Sequence, residues 1–507
     1  MSSVIRSFSR GAPPSLPLVL CATPPALEQV LAQEGVAFVV ARDLSPIRLR
    51  AGRFVVFDGR RAAESAVRAM LTPDQVAIDL EHIRREIKGS VDPFEALVDT
   101  RGALLRWRLE GGVDVVERAS RRPRAALRRA VVDALGSAVV AAGGIWARLA
   151  AFPFPFRSAF NLRVDLDEPN VDDYFAFTRA ARRLDDCRTH FVSTHAYARH
   201  PEVMRDLAGR DAQSHGHFHV IYRDRDANRR NLARADAALR AAGIEPTGFA
   251  APHGRWNAGL DDAIAELGYQ YSSDFQLGYD DVPFLPYRAD LGRFSSVLQV
   301  PIHPICEGLF LESDACADAG RATAAHLTKV VRARIEACEP AFVYGHPEGR
   351  LARHPRILEA LADAVAGESL VWRTTLTDFA RWRLWRGERR WTLRSDGEGR
   401  FEVCFDTWSN QYSPALEVVR GDHVATVPLE GPRTSFALDH LVSVRRDPPA
   451  YEPRATRASK PRGLRAAVRR ALDWETVTPL DELPETLIAD RVKKYLRRIR
   501  DREGAAA

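Results

Sequence analysis

The feature that most constrains the fold is a regular alternation of strand and helix patterns between residues 158 and 386. Short apolar runs alternate there with helical stripes, such as Ala227–Ala242 with Leu232 and Leu239 on one face. Repeated β–α units of this size build parallel sheets or barrels, whose chemistry gathers at the carboxyl ends of the strands. The predicted strands are Phe160–Leu166, His190–Ser193, Tyr269–Ser273, Val297–Val300, Ala341–Tyr344 and Leu370–Thr374.

The rest of the 507-residue chain divides into further regions. Residues 1–157 predict a small parallel α/β layer over 16–85, then a mainly helical stretch over 86–157 whose basic segment Arg118–Arg129 forms a solvated helix face. Residues 387–446 predict a small antiparallel β module, and residues 447–507 a proline-rich linker with a basic helical tail. The module's strands are Trp391–Arg394, Phe401–Asp406, Ala415–Val419, His423–Val427 and Ser435–Leu438.

Charge and cysteine usage suggest a cytoplasmic protein. The net charge of +6 comes without any RNA- or DNA-binding signature, so no nucleic-acid partner is expected. Six scattered cysteines without a C-x-x-C pair, and the lack of an export signal, fit reduced thiols. The tail carries an apolar stripe ringed by Arg and Lys, which predicts either docking on the protein's own core or peripheral contact with the inner membrane face. The stripe residues are Ile488, Val492, Tyr495 and Ile499.

Two segments carry residues suited to a metal. Asp165 and Asp167, in LRVDLDE, share one face at the end of an apolar strand. His215, His217 and His219, in SHGHFH, are close enough to converge on one ion. One Asp and two His make an open site for a divalent ion, with Zn²⁺ the expected metal. A second carboxylate beside such a site can act as a general base.

Three later segments extend this pattern at successive strand ends. The loop FAAPHGRWN, residues 249–257, follows one short strand, and Asp274 ends the next. His346, in FVYGHPEG, ends a late strand, where an imidazole could protonate a leaving amine.

The order of these motifs resembles that of the NodB-like polysaccharide deacetylases. The resemblance covers residues 158–386 and implies a distorted (β/α) barrel. It also implies a metal-dependent hydrolase that removes an N-acyl group, acetyl or formyl, from an amino sugar or glycan. The residue roles that it implies are a base at Asp165, metal ligands at Asp167, His215 and His219, an orienting residue at Asp274 and an acid at His346.

Two departures from the family pattern bear on substrate and mechanism. The spaced pair Asp165-x-Asp167 resembles the branch that deformylates lipid-linked aminoarabinose, which favours a small or lipid-linked sugar as substrate. The third motif has Ala250 where the family has an arginine that pairs with the base Asp. Arg255, in the same loop, is predicted to replace that arginine.

Two other functions stay open at this point. A deacetylase-like domain that kept its fold but lost turnover would be a glycan-binding protein, and the missing arginine favours it. A different metal hydrolase, of the amidohydrolase kind, would use His215 and His217 together at one strand end.

Overall fold

The computed structural model describes residues 16–41, 51–87, 91–109, 112–313, 316–395, 400–451 and 455–458. It begins with the small parallel α/β layer that the sequence predicts. Four strands pair in the order β2-β1-β3-β4, all parallel. They are β1 (Leu18–Cys21), β2 (Phe38–Ala41), β3 (Phe54–Phe57) and β4 (Val76–Asp79), accompanied by the helices Pro25–Glu34, Glu64–Arg68, Leu80–Glu86 and Pro93–Leu97.

The predicted helical character of residues 86–157 is wrong for much of that stretch. An antiparallel hairpin stands there, and its first strand alternates, with Leu105 and Trp107 buried and the arginines that follow each of them exposed. That is the period of a half-buried strand. The elements are β5 (Gly102–Arg108), β6 (Asp114–Ser120), the helix Arg124–Ala141 and β7 (Trp146–Leu149).

The basic segment is not a solvated helix face either, because Arg124 and Arg128 are buried. Arg124 donates from Nη1 to the carbonyl oxygen of Leu277, at 3.0 Å. Arg128 pairs with Glu34, and its Nε donates to Asp281 at 2.7 Å. These partners lie in the N-terminal layer and in the barrel, so the arginines join the two regions.

Residues 158–386 form the predicted distorted barrel, a curled sheet of eight parallel strands. They pair in the order β15-β12-β11-β10-β9-β8-β16, and β17 also pairs with β8. Among the described residues no strand pair joins β15 to β16, but the N–H of His303 donates to the carbonyl of Phe342 across this gap, at 2.9 Å. The strands are β8 (Ser158–Leu166), β9 (Arg188–Val192), β10 (Ala212–Ser214), β11 (Gly248–Phe249), β12 (Tyr271–Ser272), β15 (Leu298–Gln299), β16 (Pro340–Gly345) and β17 (Val371–Arg373).

Helices connect the barrel strands, and several begin at a side chain that caps the first turn. The capping residues, whose side chains accept from a backbone N–H of that turn, are Asn170, Asp224, Asn257, Asp318 and Thr375. A short antiparallel pair, β13 (Tyr287–Arg288) and β14 (Arg293–Phe294), also belongs to this region. The helices are Val171–Ala180, Thr194–Tyr197, Pro201–Leu207, Arg225–Ala241, Ala258–Glu266, Phe275–Gly278, Glu307–Leu311, Ala319–Glu336, Pro355–Val365 and Leu376–Gly387.

The C-terminal strands form the predicted antiparallel module, which shares a core with the start of the chain. One sheet has the order β18-β19-β22, and the other the order β23-β21-β20-β7, so β7 joins the module from the N-terminal region. Apolar residues of both regions pack in one cluster. The strands are β18 (Trp391–Ser395), β19 (Arg400–Phe405), β20 (Ala415–Arg420), β21 (His423–Pro428), β22 (Arg433–Ala437) and β23 (Ser443–Arg445), and β24 (Ala455–Arg457) pairs with β5.

Two further observations concern cysteines and membranes. All six cysteines are free thiols. Within the described ranges, no helix has both the length and the apolar character that crossing a membrane requires. The predicted amphipathic stripe of the tail, residues 488–499, lies outside the described residues.

Candidate active site

The side chains singled out from the sequence lie at the carboxyl edge of the barrel sheet. Asp165 is the second-last residue of β8, and Asp167 follows that strand. His215 follows β10, Asp274 follows β12 and His346 follows β16. All four strands run parallel, so their carboxyl ends meet at the same edge. This topology brings together residues that are up to about 180 positions apart in the chain.

Asp167, His215 and His219 form a group whose donor atoms lie within 4.8 Å of one another. Oδ1 of Asp167 is 3.3 Å from Nε2 of His215 and 3.2 Å from Nε2 of His219. This oxygen is buried and has no hydrogen-bond partner among the described residues. Burial opposes ionisation of Asp167, but the histidines around it hold its pKa well below the usual range. One carboxylate and two imidazoles, with an orphaned buried oxygen between them, fit a divalent metal ion.

The ring of His215 is fixed for ligation by the loop after β11. Its Nδ1–H donates to the carbonyl oxygen of Ala250, at 2.6 Å, which leaves Nε2 for a metal. The next residue, Ala251, donates its N–H to Oδ1 of Asp274 at 2.9 Å, and the hydroxyl of Ser272 donates to Oδ2 at 2.6 Å. Asp274 therefore braces the loop that orients a metal ligand, and burial raises its pKa to about 6.

A reversal of the chain at Gly216 brings His219 back beside His215. Gly216 has φ +83°, and a Cβ there would lie 3.0 Å from the carbonyl oxygen of Phe218. The side chain of Asn231 holds the turn, because it accepts from the N–H of Phe218 at 2.8 Å and donates to its carbonyl at 3.1 Å. The two imidazole centroids are 4.9 Å apart as a result.

The middle histidine of this segment, His217, is engaged elsewhere. Its Nδ1 lies 3.0 Å from the hydroxyl of Thr194, and its ring packs against His195 and Phe218. Burial, together with His195, lowers the pKa of His217 to about 4. His217 is thus a neutral packing residue outside the ligand group, and an amidohydrolase arrangement finds no support in this position.

Asp165 is paired with an arginine that the sequence analysis did not consider. Arg163 donates from Nε to Oδ1 and from Nη2 to Oδ2 of Asp165, both at 2.6 Å. Its Nη1 donates to the carbonyl of Ser273 at 2.6 Å, and its guanidinium lies against the rings of Phe191 and Tyr344. The place predicted for Arg255 is therefore taken by Arg163, two residues before the carboxylate on the same strand.

His346 is oriented by Glu307. Oε1 of Glu307 accepts from the N–H of His346 and lies 2.9 Å from its Nδ1, while Nε2 is 3.7 Å from Oδ2 of Asp167. Burial would lower the pKa of His346, but the Glu307 carboxylate raises it well above the usual range. The imidazole therefore stays protonated at neutral pH and faces the metal group.

A further carboxyl, that of Glu348, lies on the turn after His346. Glu348 is hydrogen-bonded to the hydroxyl of Tyr197. Burial, with the negative charge of Asp167 nearby, raises the pKa of Glu348 to about 8. Its carboxyl is mostly protonated at neutral pH and can donate a hydrogen bond.

Arg163 and Glu307 were not predicted as site residues, and the sequence has a local signal for Arg163 only. Arg163 and Asp165 are two apart on a predicted strand, so their side chains share one face. Glu307 lies 39 positions before His346, and no local pattern links the two residues.

Comparison with known proteins finds a family model that is similar to part of this region. Residues 178–272 match the family model described as Polysaccharide deacetylase. The matched stretch contains His215, His219 and the loop after β11, whereas Asp167 and His346 lie outside it. It falls within the region 158–386 where the sequence motifs are found. None of the curated proteins compared with the chain matches it significantly.

Several solved structures resemble less than half of the chain. One is a Mycobacterium smegmatis protein described as a polysaccharide deacetylase, with 22% identity and a TM-score of 0.39 over 46% of this chain and 93% of that one. A family 4 carbohydrate esterase from Streptomyces lividans, in complex with acetate, has 17% identity and a TM-score of 0.29 over 42% and 90%. A family 4 acetyl xylan esterase from Clostridium thermocellum, in complex with a cobalt ion, has 13% identity and a TM-score of 0.31 over 44% of this chain and 91% of that one.

Proposed function

We propose that this chain is a metal-dependent hydrolase that removes an N-acyl group, acetyl or formyl, from an amino sugar or glycan. The proposal rests on the side chains that meet at the carboxyl edge of the barrel sheet. A three-residue ligand group, Asp167, His215 and His219, lies there with a separate carboxylate, Asp165, and a separate imidazole, His346. Metal-assisted hydrolysis of an amide needs these three components.

Zinc is the metal that the ligand group fits best. Two imidazole nitrogens and one carboxylate oxygen are ligands that Zn²⁺ accepts, and three protein ligands leave a position open for chemistry. When bound, the ion supplies Lewis-acid polarisation of the acyl carbonyl.

The remaining chemistry is assigned to the chain's own residues. Asp165 accepts a proton from the attacking water, and the two hydrogen bonds from Arg163 hold its carboxylate in place. His346, kept protonated by Glu307, donates its Nε2 proton to the nitrogen of the leaving amine. Proton transfers of this kind contribute about 10²–10⁴-fold each to the rate.

The alternative of a glycan-binding protein without turnover loses its main argument. That argument was the missing arginine of the third motif, and Arg163 provides a guanidinium for Asp165 from another position. Hydrolysis is therefore the function that the geometry supports best.

The test is deacylation of a panel of N-acetyl and N-formyl amino sugars, free and lipid-linked, before and after metal removal. We expect activity that a chelator abolishes and Zn²⁺ restores. His346→Ala should keep the tightly bound metal and lose about 10²–10⁴-fold in kcat. Activity that survives complete metal removal would overturn the proposal.

Metal content provides a second readout, with a matched pair of histidine variants. His215→Ala should lose the metal that survives dialysis, because it removes one of three ligands. His217→Ala, two residues away and bonded to Thr194, should keep it. Equal metal content in wild type and His215→Ala would reject the ligand assignment.

The substrate's form and the cell compartment are a further part of the proposal. The free cysteines fit a reducing cytoplasm, and the tail, which the sequence predicts to be basic and amphipathic, fits peripheral contact with anionic lipid, near a lipid-linked sugar. Co-sedimentation with anionic vesicles should be stronger for the full chain than for a chain truncated before Arg462. Equal binding would leave a deacylase of free sugars.

A further inference from the structure

A second group of metal-binding side chains lies on the side of His346 that faces away from the first. Sγ of Cys306, a carboxylate oxygen of Glu307 and a ring nitrogen of His346 all lie within 4.8 Å of one another. We call these three residues the thiol cluster. None of them belongs to the ligand group of Asp167, and the roles assigned above leave the thiol without a function.

The thiol cluster holds a buried charge that is incompletely satisfied. The side chain of Glu307 has no exposed surface, and its Oε2 has no hydrogen-bond partner among the described residues. Its Oε1 accepts from the N–H of His346 and lies 2.9 Å from Nδ1. Cys306, adjacent in sequence, is buried as well. The charge of Glu307 is paired with His346, but a buried carboxylate oxygen without a donor leaves a ligand position open for a cation.

The chemistry of the three donors selects the kind of ion. A thiolate, an imidazole and a carboxylate favour Zn²⁺ over Mg²⁺ and Ca²⁺, which prefer oxygen ligands. Binding would replace the thiol proton of Cys306 and the Nδ1 proton of His346, and both protons would leave to solvent. No redox change is involved.

Arg350 sets an upper limit on the affinity of this site. Its Nη1 lies 2.9 Å from Nδ1 of His346 and 3.7 Å from Oε1 of Glu307, where a second cation would compete. The side chain of Arg350 is 30% exposed, and its Nη2 is already 3.7 Å from Glu312. The guanidinium can therefore move outward to Glu312, at a cost that makes this site weaker than that of Asp167, His215 and His219.

We propose that Cys306, Glu307 and His346 form a second, weaker zinc site whose occupancy inhibits the enzyme. Nε2 of His346 is 3.7 Å from Asp167, so the imidazole lies between the two sites. An ion on Nδ1 displaces Glu307 as the partner of that nitrogen and removes the proton-donating form of the ring. The inhibition rests on the proposed function, whereas the metal site itself does not.

Cobalt titration of the full chain, after metal removal, tests the site directly. The first ligand group has no sulfur, so of these two groups only the thiol cluster can give a thiolate-to-cobalt charge-transfer band. We expect the band to grow mainly with the second equivalent of Co²⁺. It should disappear in Cys306→Ser and persist in Cys404→Ser, a control in β19 of the C-terminal module.

Two results would overturn the metal site: no charge-transfer band in the wild type at saturating Co²⁺, or a band that persists in Cys306→Ser. Glu307→Gln, which keeps the side-chain shape, should weaken cobalt binding at the second site at least about ten-fold. The first of these results needs no variant, so the site can be refuted even if a variant folds poorly.

Kinetics test the inhibitory role separately. Zn²⁺ beyond one equivalent should lower the kcat of the wild type toward that of His346→Ala, about 10²–10⁴-fold. Cys306→Ser, compared with its own rate at one equivalent, should resist this loss, and Cys404→Ser should behave like the wild type. A charge-transfer band without zinc inhibition would refute the inhibitory role. If no substrate were turned over, the band would still decide whether the site exists.

Discussion

Replacing Glu307 with Gln removes a buried negative charge beside His346 and keeps the shape of the side chain. Oε1 of Glu307 accepts from the backbone N–H of His346 and lies 2.9 Å from Nδ1. A glutamine oxygen can accept both hydrogen bonds. The charge is therefore the main quantity that the substitution changes, and its effect on the imidazole can be calculated.

The magnitude follows from the distance between the two charges. Unit charges about 4 Å apart interact by about 4 kcal/mol at an effective dielectric constant of ~20. Each ~1.4 kcal/mol corresponds to a factor of ten in an equilibrium constant. Loss of the Glu307 charge therefore lowers the proton-binding constant of His346 by at most about 10³-fold. Arg350, which stays nearby and opposes the protonated ring, continues to act in the variant. Since the protonated imidazole is the proposed acid, activity at high pH depends on how tightly His346 binds its proton.

The sign of the pH effect is fixed by the same argument. Glu307 raises the pKa of His346, so the wild type keeps its proton donor well above the pH where a free histidine would lose it. Without that charge the pKa falls, and the high-pH limb of kcat/KM should move to lower pH by about one to three pH units. The low-pH limb should stay in place.

The assay is the pH profile of kcat/KM on an N-acyl amino sugar, with metal content measured in parallel. Glu312→Gln is the matched control, because Glu312 directly follows the short helix that begins at Glu307. Among the described residues of the site, it contacts only Arg350, at 3.7 Å. Its profile should match the wild type. A Glu307→Gln enzyme that keeps its metal and an unchanged high-pH limb would refute the role assigned to this pair.

Two further predictions concern the base and the fold. Arg163→Lys cannot make both hydrogen bonds to Asp165, so kcat should fall roughly 10²-fold while bound metal stays constant; loss of the metal would instead show a structural role. Glu34→Gln breaks a buried pair with Arg128 and Arg148 and should lower the free energy of unfolding by about 3–5 kcal/mol near neutral pH, measured by urea denaturation. Because the pKa of Glu34 is lowered from 4.5 to about 2, this contribution should disappear between those pH values, and a pH-independent difference would contradict the assignment.

The barrel could be predicted because short strand patterns alternate regularly with periodic helices. β8 is buried along all of its nine residues, and its sequence alternates apolar residues with Asn161, Arg163 and Asp165, which therefore share one face. β10, by contrast, has three residues, Ala212–Ser214, two of them polar. A strand so short has no recognisable period, and its neighbours in the sheet define it.

The hairpin of β5 and β6 shows how a correct signal can be misread. Leu105 and Trp107 alternate with arginines, which is a strand pattern, but the density of arginine over residues 118–129 suggested a solvated helix. The charges of Arg124 and Arg128 are stabilised by partners that are distant in sequence, among them Glu34 and Asp281. Burial of such arginines follows from tertiary contacts and has no local signature.

The location of the arginine that pairs with Asp165 changes what the loop after β11 can do. The resemblance places this guanidinium in the loop. In this protein Arg163 provides it from within β8, where the side chain lies between two aromatic rings and does not depend on the conformation of the loop. The loop is then free to serve the metal ligands. Ala250 fixes the tautomer of His215 through its carbonyl, and the ring of the exposed His253 lies 4.9 Å from that of His219. A change of loop sequence should therefore alter metal affinity and substrate access before it alters the base, the reverse of what a loop arginine would produce.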